Sequence, residues 1–225
     1  MNDEPLIFVE VALAPEIPAA IAPILDAKRE PGNPNEATTA VFYSISNCQR
    51  GLAGVSFGSF LIKQVVAEIS REFPRLSTFV TLSPAPGFAA WLKRERNRNR
   101  DSSSMLSDED RAALTALDTP GWPSDPAAVE RLKEPVVRAA ATYYMSARTR
   151  SGAPIDPVAR FHLGNGARLE RINWLADTSA KGFKQSCGLV VNYLYDPEEI
   201  EQNVEAYVGE DRIAASAAVR RLAKT

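Results

Sequence analysis

Several apolar runs along the chain have the length and composition of β-strands. Residues 6–13 (LIFVEVAL) are nearly all apolar and rich in β-branched side chains, which predicts a buried, central strand. Because this strand would begin so close to Met1, we expect that a further segment once preceded it. Later runs predict strands at residues 38–46 (TTAVFYSIS), 78–82 (TFVTL) and 187–195 (CGLVVNYLY).

The helical pattern is clearest after a glycine-punctuated loop at residues 47–59. Apolar side chains recur there at spacings of three and four residues, which places them on one face of a helix over residues 60–73. Ser59 is the expected N-cap of this helix, and Pro74 is expected to end it. The apolar positions are Ile62, Val65, Val66, Ile69 and Phe73.

The second half of the chain predicts further helices. Residues 105–150 have a helical pattern that is broken at 119–123 (TPGWP), and a last amphipathic helix is predicted at about 210–222. Residues 93–104 are charged and then rich in serine, which predicts a mobile connector. Its basic residues are typical of a solvated face rather than of a nucleic-acid site.

Composition excludes several classes of protein. The 225 residues are enough to bury a sizeable core, and the 26 Lys and Arg residues nearly balance 28 Asp and Glu residues, which argues against a nucleic-acid partner. One histidine and two cysteines provide neither a disulfide framework nor a histidine-rich zinc site, so we expect no metal. The sequence contains no bilayer-spanning run and no secretory, transit or peroxisomal signal, so we expect a cytoplasmic protein without a membrane partner.

The glycine-punctuated loop fits two kinds of site. Residues 54–58 (GVSFG) match the G-x-S-x-G nucleophile elbow, which makes a serine hydrolase using Ser56 an alternative, although a loop rather than a strand precedes this serine. Free N–H groups at a helix start favour an anion instead, and a Gln-Arg pair followed by spaced glycines resembles the pyrophosphate loop of acyl-CoA proteins. The candidate anion contacts are Ala53, Gly54, Val55, Ser56, Phe57, Gly58 and Ser59, with Arg50 and Lys63 as candidates for phosphate contact.

Two side chains are the candidate catalytic groups. Ser83 follows the predicted strand 78–82 in the sequence LSPAPGF, where the flanking prolines restrict the backbone at the end of a strand, a place that favours ligand sites. His162 is the only histidine, and an imidazole is the side chain best suited to acid and base chemistry near neutral pH. A serine in a turn and an incidental histidine are the alternative explanations.

Further residues are candidates for substrate binding. Asn165 lies between two glycines, which indicates a loop whose backbone approaches a neighbour closely. Trp174, Tyr193 and Tyr195 favour core positions over a stack against a cofactor, and Tyr195 is also a candidate substrate contact.

Taken together, these segments resemble the C-terminal catalytic domain of the malonyl-CoA decarboxylase family, in collinear order over most of the 225 residues. The residues that carry the resemblance are LIFVEVAL (6–13), TAVFYSISNCQRGLAGVSFGSFLIK (39–63), REFPRLSTFVTLSPAPGF (71–88), PVARFHLGNGARLERINWLAD (157–177) and SCGLVVNYLY (186–195). It implies one α/β (α+β) domain of GNAT-like fold over residues 1–225, with a central mixed sheet flanked by helices and a helical insertion around 90–150.

The resemblance also implies an activity and its residues. The family converts malonyl-CoA to acetyl-CoA and CO₂ without a cofactor, with a catalytic serine and histidine that match Ser83 and His162 and a CoA-binding loop that matches residues 53–59. Some members have a glutamate, suggested to help proton transfer, where this chain has Ser56. We expect this chain to lack the family's N-terminal helical domain, which mediates oligomerisation, so the resemblance implies a homo-oligomer only where that domain is present.

The residues suggest how such a reaction would proceed. Loss of CO₂ from a malonyl thioester leaves an enolate, which needs stabilisation of its oxygen and a proton for its carbon. We expect Ser83 to bind the substrate and orient His162, whose pKa should lie near neutrality, and Asn165 or its loop to stabilise the enolate oxygen. A non-catalytic acyl-CoA-binding remnant is the other alternative beside the hydrolase.

Overall fold

Helices flank a central mixed β-sheet in the computed structural model, which describes residues 7–30, 32–47, 58–98 and 104–224. The strands are β1 (Ile7–Ala14), β2 (Thr39–Asn47), β3 (Thr78–Thr81), β4 (Ser83–Pro84), β5 (Arg168–Asn173) and β6 (Val190–Leu194). The helices are α1 (Ala22–Leu25), α2 (Gly58–Glu72), α3 (Phe88–Arg96), α4 (Asp108–Ala113), α5 (Pro126–Ser146), α6 (Pro157–Gly164), α7 (Ala180–Ser186), α8 (Ile200–Glu210) and α9 (Ala217–Leu222). This arrangement confirms the predicted mixed α/β architecture.

The order of the strands brings distant parts of the chain together. β1 and β2 are antiparallel, β2 and β3 are parallel, and β6 is antiparallel to β3, β4 and β5. Val80 pairs with Leu194 and Ser83 pairs with Val191 in one continuous register, so β3 and β4 are two parts of one line of chain beside β6. The ladder between β2 and β3 ends at Phe42 and Thr81, whereas β2 continues to Asn47 beside β1.

The prediction for the first strand is correct in position and wrong in burial. β1 pairs only with β2 among the strands in the described ranges, so it is an edge strand rather than a central one. Phe8 is 57% exposed, and Ala12 is the one residue of β1 in the buried class among those whose side chains are described. The apolar run at residues 6–13 therefore marks a strand, but most of its described side chains are only partly buried or exposed.

Two further elements differ from the sequence prediction. β5 is not predicted by the apolar pattern, because charged side chains alternate with apolar ones in its sequence RLERIN. The predicted helix at about 210–222 is instead the separate helix α9, while α8 ends at Glu210. Between them, Ala215 forms a bridge to Leu169 of β5, so this stretch extends the sheet rather than the helix.

The predicted connector at residues 93–104 is corrected at its start. Residues 93–96 form the last turn of α3, in which Glu95 is buried and accepts the backbone N–H of Met105 at 3.2 Å. Residues 99–103 lie outside the described ranges. The predicted break at 119–123 is observed, because a 3₁₀ turn ends at Asp118, a second one spans Trp122–Ser124, and the long helix α5 begins only at Pro126.

The sheet has an apolar layer on each face. The larger layer includes Phe42, Phe79 and Tyr193, with α2, α3, α5 and α6 packed against them. The smaller layer contains Val41 and Val80 and is covered by Ile17, Ile21 and Ile24 from the segment after β1. None of the helices in the described ranges is long and apolar enough to cross a membrane. The described residues also contain no group of three His, Cys, Asp or Glu side chains that could hold a metal ion.

Candidate active site

Helix α6 is fixed at its N terminus by a buried carboxylate. Asp156 is the N-cap, Pro157 occupies the first turn, and Asp156 Oδ1 accepts the backbone N–H of Ala159 at 2.8 Å. Tyr143 of α5 donates its hydroxyl to Asp156 Oδ2 at 3.0 Å. Burial raises the pKa of Asp156. These bonds hold the start of the helix that carries His162.

The line of chain formed by β3 and β4 presents two hydroxyl groups on one face. Thr81 and Ser83 are two residues apart in extended backbone, so their side chains point to the same side of the sheet. The Ser83 hydroxyl donates to Thr81 Oγ1 at 2.9 Å. Both residues are buried, and Ser83 retains 6% exposure.

His162 lies against this face and contacts a different residue with each ring nitrogen. Nε2 is 3.1 Å from Ser83 Oγ, and Nδ1 is 2.8 Å from the hydroxyl oxygen of Tyr195. The imidazole stacks on the ring of Tyr193, with centroids 4.6 Å apart and an interplanar angle of 25°. The structure therefore brings together Ser83 and His162, which are 79 positions apart in the sequence.

Burial determines the charge of this histidine. His162 is 4% exposed, and desolvation lowers its pKa from 6.5 to about 3. The expectation of a pKa near neutrality is therefore wrong for the protein without substrate. The imidazole is neutral at physiological pH.

Tyr195 contacts the imidazole of His162 from within the apolar layer. Its side chain is in the apolar layer with 2% exposure, and burial raises the pKa of its hydroxyl, which keeps it protonated. This hydroxyl contacts Nδ1 of His162 while Ser83 contacts Nε2, so Tyr195 touches the catalytic candidate, and its contact with substrate stays a prediction. Tyr193 is buried in the core as predicted, and Trp174 is half-buried and stacks on Trp122.

Asn165 and Gly166 end α6 beside His162. Gly166 has φ of +84°, and a Cβ there would lie 2.5 Å from the carbonyl oxygen of Ile200, so the predicted close approach is to α8. Asn165 follows His162 by three residues and is 3% exposed. Its side-chain amide makes no hydrogen bond within the described ranges. A buried amide without a partner is a candidate ligand group.

Three residues of this site are absent from the sequence prediction. Thr81, Asp156 and Asn192 are polar and buried, and each is hydrogen-bonded to an element of the site. A signal for Asp156 exists, because an Asp before Pro at the start of an apolar-periodic segment is typical of a helix N-cap. Thr81 and Asn192 lie inside apolar strand sequences that give no such signal.

Most of the predicted CoA-binding loop lies outside the described residues. This holds for Ala53, Gly54, Val55, Ser56 and Phe57, and also for Arg50. Gly58 and Ser59 are described only as backbone in the first turn of α2, which places Ser59 inside the helix rather than at its N-cap. Lys63 of α2 is half-exposed, with Nζ 3.7 Å from a carboxylate oxygen of Glu201.

The fold and the site together define a class of protein. It is a mixed α/β domain in which a strand-end serine and a helix-borne histidine meet against the face of the sheet. The family model described as malonyl-CoA decarboxylase C-terminal domain matches residues 1–225. The chain therefore belongs to the malonyl-CoA decarboxylase family.

Individual relatives agree with this assignment. The crystal structure of malonyl-CoA decarboxylase from Rhodopseudomonas palustris is 59% identical, with a TM-score of 0.93 over 99% of this chain and 50% of that chain. The Agrobacterium vitis enzyme is 53% identical, with a TM-score of 0.91 over 98% of this chain and 54% of that one. Mitochondrial malonyl-CoA decarboxylase of Rattus norvegicus is 40% identical over 95% of this chain and 47% of its own length. The chain thus spans about half the length of these relatives.

Proposed function

We propose that this protein catalyses the decarboxylation of malonyl-CoA to acetyl-CoA and CO₂. The observation that carries the proposal is the buried contact of 3.1 Å between Ser83 Oγ and His162 Nε2. Membership of the malonyl-CoA decarboxylase family and the names of its relatives support this choice of substrate.

The chemistry sets two requirements. When the bond between the carboxylate and the α-carbon breaks, its electrons move into the thioester and form an enolate. A hydrogen-bond donor at the thioester oxygen lowers this barrier, and an acid must then protonate the carbon. A positioned acid contributes about 10²–10⁴-fold, so binding and electrostatics supply the rest of the acceleration.

His162 is the proposed proton donor. Decarboxylation consumes one proton per turnover: an N–H bond of the imidazole breaks, a C–H bond forms, and solvent returns the proton to the ring. A neutral imidazole can serve as this acid, because the carbon of a thioester enolate is a much stronger base than an imidazolate. The arriving malonyl carboxylate also raises the pKa of His162, since a nearby negative charge favours the protonated ring.

Ser83 and Asn165 are the proposed substrate contacts. Ser83 Oγ lies against the imidazole, so a substrate group bound by this hydroxyl is within reach of the acid. Asn165 is buried, caps α6 three residues after His162, and has an amide available to the enolate oxygen. The predicted loop 53–59 leads into α2, whose N-terminal N–H groups and positive dipole end suit the CoA pyrophosphate.

The test compares the products formed from malonyl-CoA. Purified protein should release CO₂ and acetyl-CoA in equal amounts, without free CoA. Ser83→Ala and His162→Gln should each lower kcat about 10²–10⁴-fold with a smaller change in KM. Ser151→Ala changes an exposed serine outside the site and should leave kcat unaltered.

Other outcomes would contradict the proposal in distinguishable ways. Release of free CoA and malonate, lost in Ser56→Ala, would indicate the hydrolase. Binding of CoA without any turnover would indicate the non-catalytic remnant. Full activity in both Ser83→Ala and His162→Gln would remove these residues from the mechanism.

A further inference from the structure

Tyr195 fixes where the proton of His162 lies. Its hydroxyl is buried, and its one hydrogen-bond partner within the described ranges is Nδ1 of His162. If Nδ1 carried the proton, the phenolic O–H would be left buried without an acceptor, which is costly in a folded protein. The hydroxyl must therefore donate to Nδ1, which leaves the single proton of a neutral ring on Nε2.

On the Ser83 side of His162, the hydrogen bonds depend on an irregularity in the sheet between β3 and β6. By register, Phe79 lies opposite Tyr195, and Thr81 lies opposite Tyr193. In the first pair the backbone is regular, because the Tyr195 N–H donates to the carbonyl oxygen of Phe79 at 2.8 Å. In the pair of Thr81 and Tyr193, however, the donor to the carbonyl oxygen of Thr81 is the side chain of Asn192, through Nδ2 at 2.9 Å. The backbone N–H of Tyr193 donates to Thr81 Oγ1 at 3.2 Å instead.

This irregularity makes the Thr81 hydroxyl an acceptor for the site. Its oxygen receives the Tyr193 N–H and also the Ser83 hydroxyl, at 2.9 Å, which occupies both of its lone pairs. Because Ser83 gives its proton to Thr81, its own oxygen is available to accept from His162 Nε2 at 3.1 Å. The hydrogen bonds at Tyr195 and at Thr81 thus run in the same direction.

We propose that Thr81 and Tyr195 are positioning residues that hold His162 as the neutral tautomer with its proton on Nε2. Hydrogen bonds then run in one direction, from Tyr195 to His162, on to Ser83 and finally to Thr81. Asn192 makes this possible, because its side chain binds the Thr81 carbonyl oxygen and the Tyr193 N–H then donates to the Thr81 hydroxyl. The inference rests on the proposed function for its catalytic meaning, since Nε2–H is then the proton that the enolate carbon receives.

The direction also separates this site from a serine hydrolase. In a nucleophilic serine, the hydroxyl donates to an unprotonated imidazole nitrogen, which removes its proton during attack. Here the imidazole donates and Ser83 accepts, so the serine is not activated as a nucleophile. In this arrangement His162 is placed to donate a proton rather than to remove one from Ser83.

The single histidine makes the proposal directly measurable. In protein labelled with ¹⁵N at histidine, every imidazole signal belongs to His162. Two-bond ¹H–¹⁵N correlation spectra at neutral pH should show a protonated Nε2 and an unprotonated, hydrogen-bonded Nδ1. A proton on Nδ1, or rapid exchange between both nitrogens in the unaltered protein, would overturn the proposal.

Matched variants test the two positioning residues. Thr81→Val keeps the shape but frees the Ser83 proton to turn towards Nε2, so a fraction of Nδ1–H tautomer should appear, while Thr81→Ser should keep the original spectrum. Tyr195→Phe removes the donor to Nδ1 and should likewise mix the tautomers. An unchanged spectrum in both Thr81→Val and Tyr195→Phe would show that neither residue sets the tautomer.

Kinetics provide the second measurement. Thr81→Val should lower kcat for malonyl-CoA about tenfold or more with little change in KM, and Thr81→Ser should restore it. A loss that Thr81→Ser does not restore would contradict the positioning role. Since the spectra contain no substrate, failure to release CO₂ would reject the proposed function alone, and a wrong tautomer would reject this inference alone.

Discussion

At the scale of single residues, burial rather than a charged neighbour sets the state of His162. Desolvation lowers its pKa to about 3, and the groups at its two nitrogens are hydroxyls. The sequence could indicate the residue types of the site, because a lone histidine and a proline-flanked serine are unusual. It could not indicate this pKa, since burial depends on α6 packing against β6.

This pKa predicts a pH dependence of stability. Between about pH 3 and 6.5 the unfolded chain binds a proton at His162 and the folded chain does not, so acid favours unfolding in this window. Relative to His162→Gln, the free energy of unfolding should fall by up to about 1.4 kcal/mol for each pH unit below 6.5. Urea denaturation at several pH values measures both proteins.

The comparison isolates the histidine. Burial raises the pKa of Asp156, whose proton uptake stabilises the folded chain as the pH falls, but this contribution is present in both proteins. Because the chain has no other histidine, the difference between the two curves belongs to His162. Parallel curves from pH 7.5 to 4.5 would contradict the lowered pKa.

At the scale of elements, α6 is the support that carries His162, the proposed acid, to the sheet. Its N-cap Asp156 satisfies the Ala159 N–H and the Tyr143 hydroxyl at once, and it is 1% exposed. This carboxylate joins α5 to α6. The position of His162 therefore depends on a residue that does not touch it.

Asp156→Ala should destabilise the fold by about 2–4 kcal/mol. The loss combines a helix cap of about 0.5–2 kcal/mol with a buried Tyr143 hydroxyl left without its acceptor, at about 1–3 kcal/mol. Asp125→Ala is the matched control, because Asp125 caps α5 at an exposed position and should cost about 1 kcal/mol. Equal losses in thermal or urea denaturation would contradict the structural role of Asp156.

Elements were predictable from sequence where apolar periodicity is strong. The strands at 38–46 and 78–82, the helix that begins near residue 60 and the helical segment 105–150 are all observed within a few residues. β5 was not predictable in this way, because Arg168 and Glu170, which alternate with its apolar residues, are partly buried and pair with each other, and Arg168 also pairs with Glu199. The edge position of β1 depends on strand order, which local pattern does not contain.

At the scale of the whole molecule, the site combines segments that are far apart in sequence. Ser83, His162 and Tyr195 come from β4, α6 and the residue after β6, while Asn192 acts from the opposite face of the sheet. On that face Arg171 donates to the carbonyl oxygens of Ile17 and Pro18 and to Asn192 Oδ1. The segment after β1 therefore supports the strand irregularity behind Thr81.

This long-range support explains what sequence analysis could not provide. Ser83 and His162 could be identified as candidates, and their family resemblance implied a joint role. The direction of their hydrogen bond, however, depends on one Asn side chain replacing a backbone partner inside a regular strand pair. No local pattern in residues 78–84 or 190–195 signals such an exchange.

The central claim is that Ser83 and His162 act as one unit in the loss of CO₂ from malonyl-CoA. A double-mutant cycle tests it most directly, with kcat for CO₂ release measured in the unaltered protein, Ser83→Ala, His162→Gln and the double variant. If the two side chains form one unit, the double variant should be no more than a few-fold slower than the slower single variant. Rate losses that multiply in the double variant would show that the two residues act independently and would contradict this account.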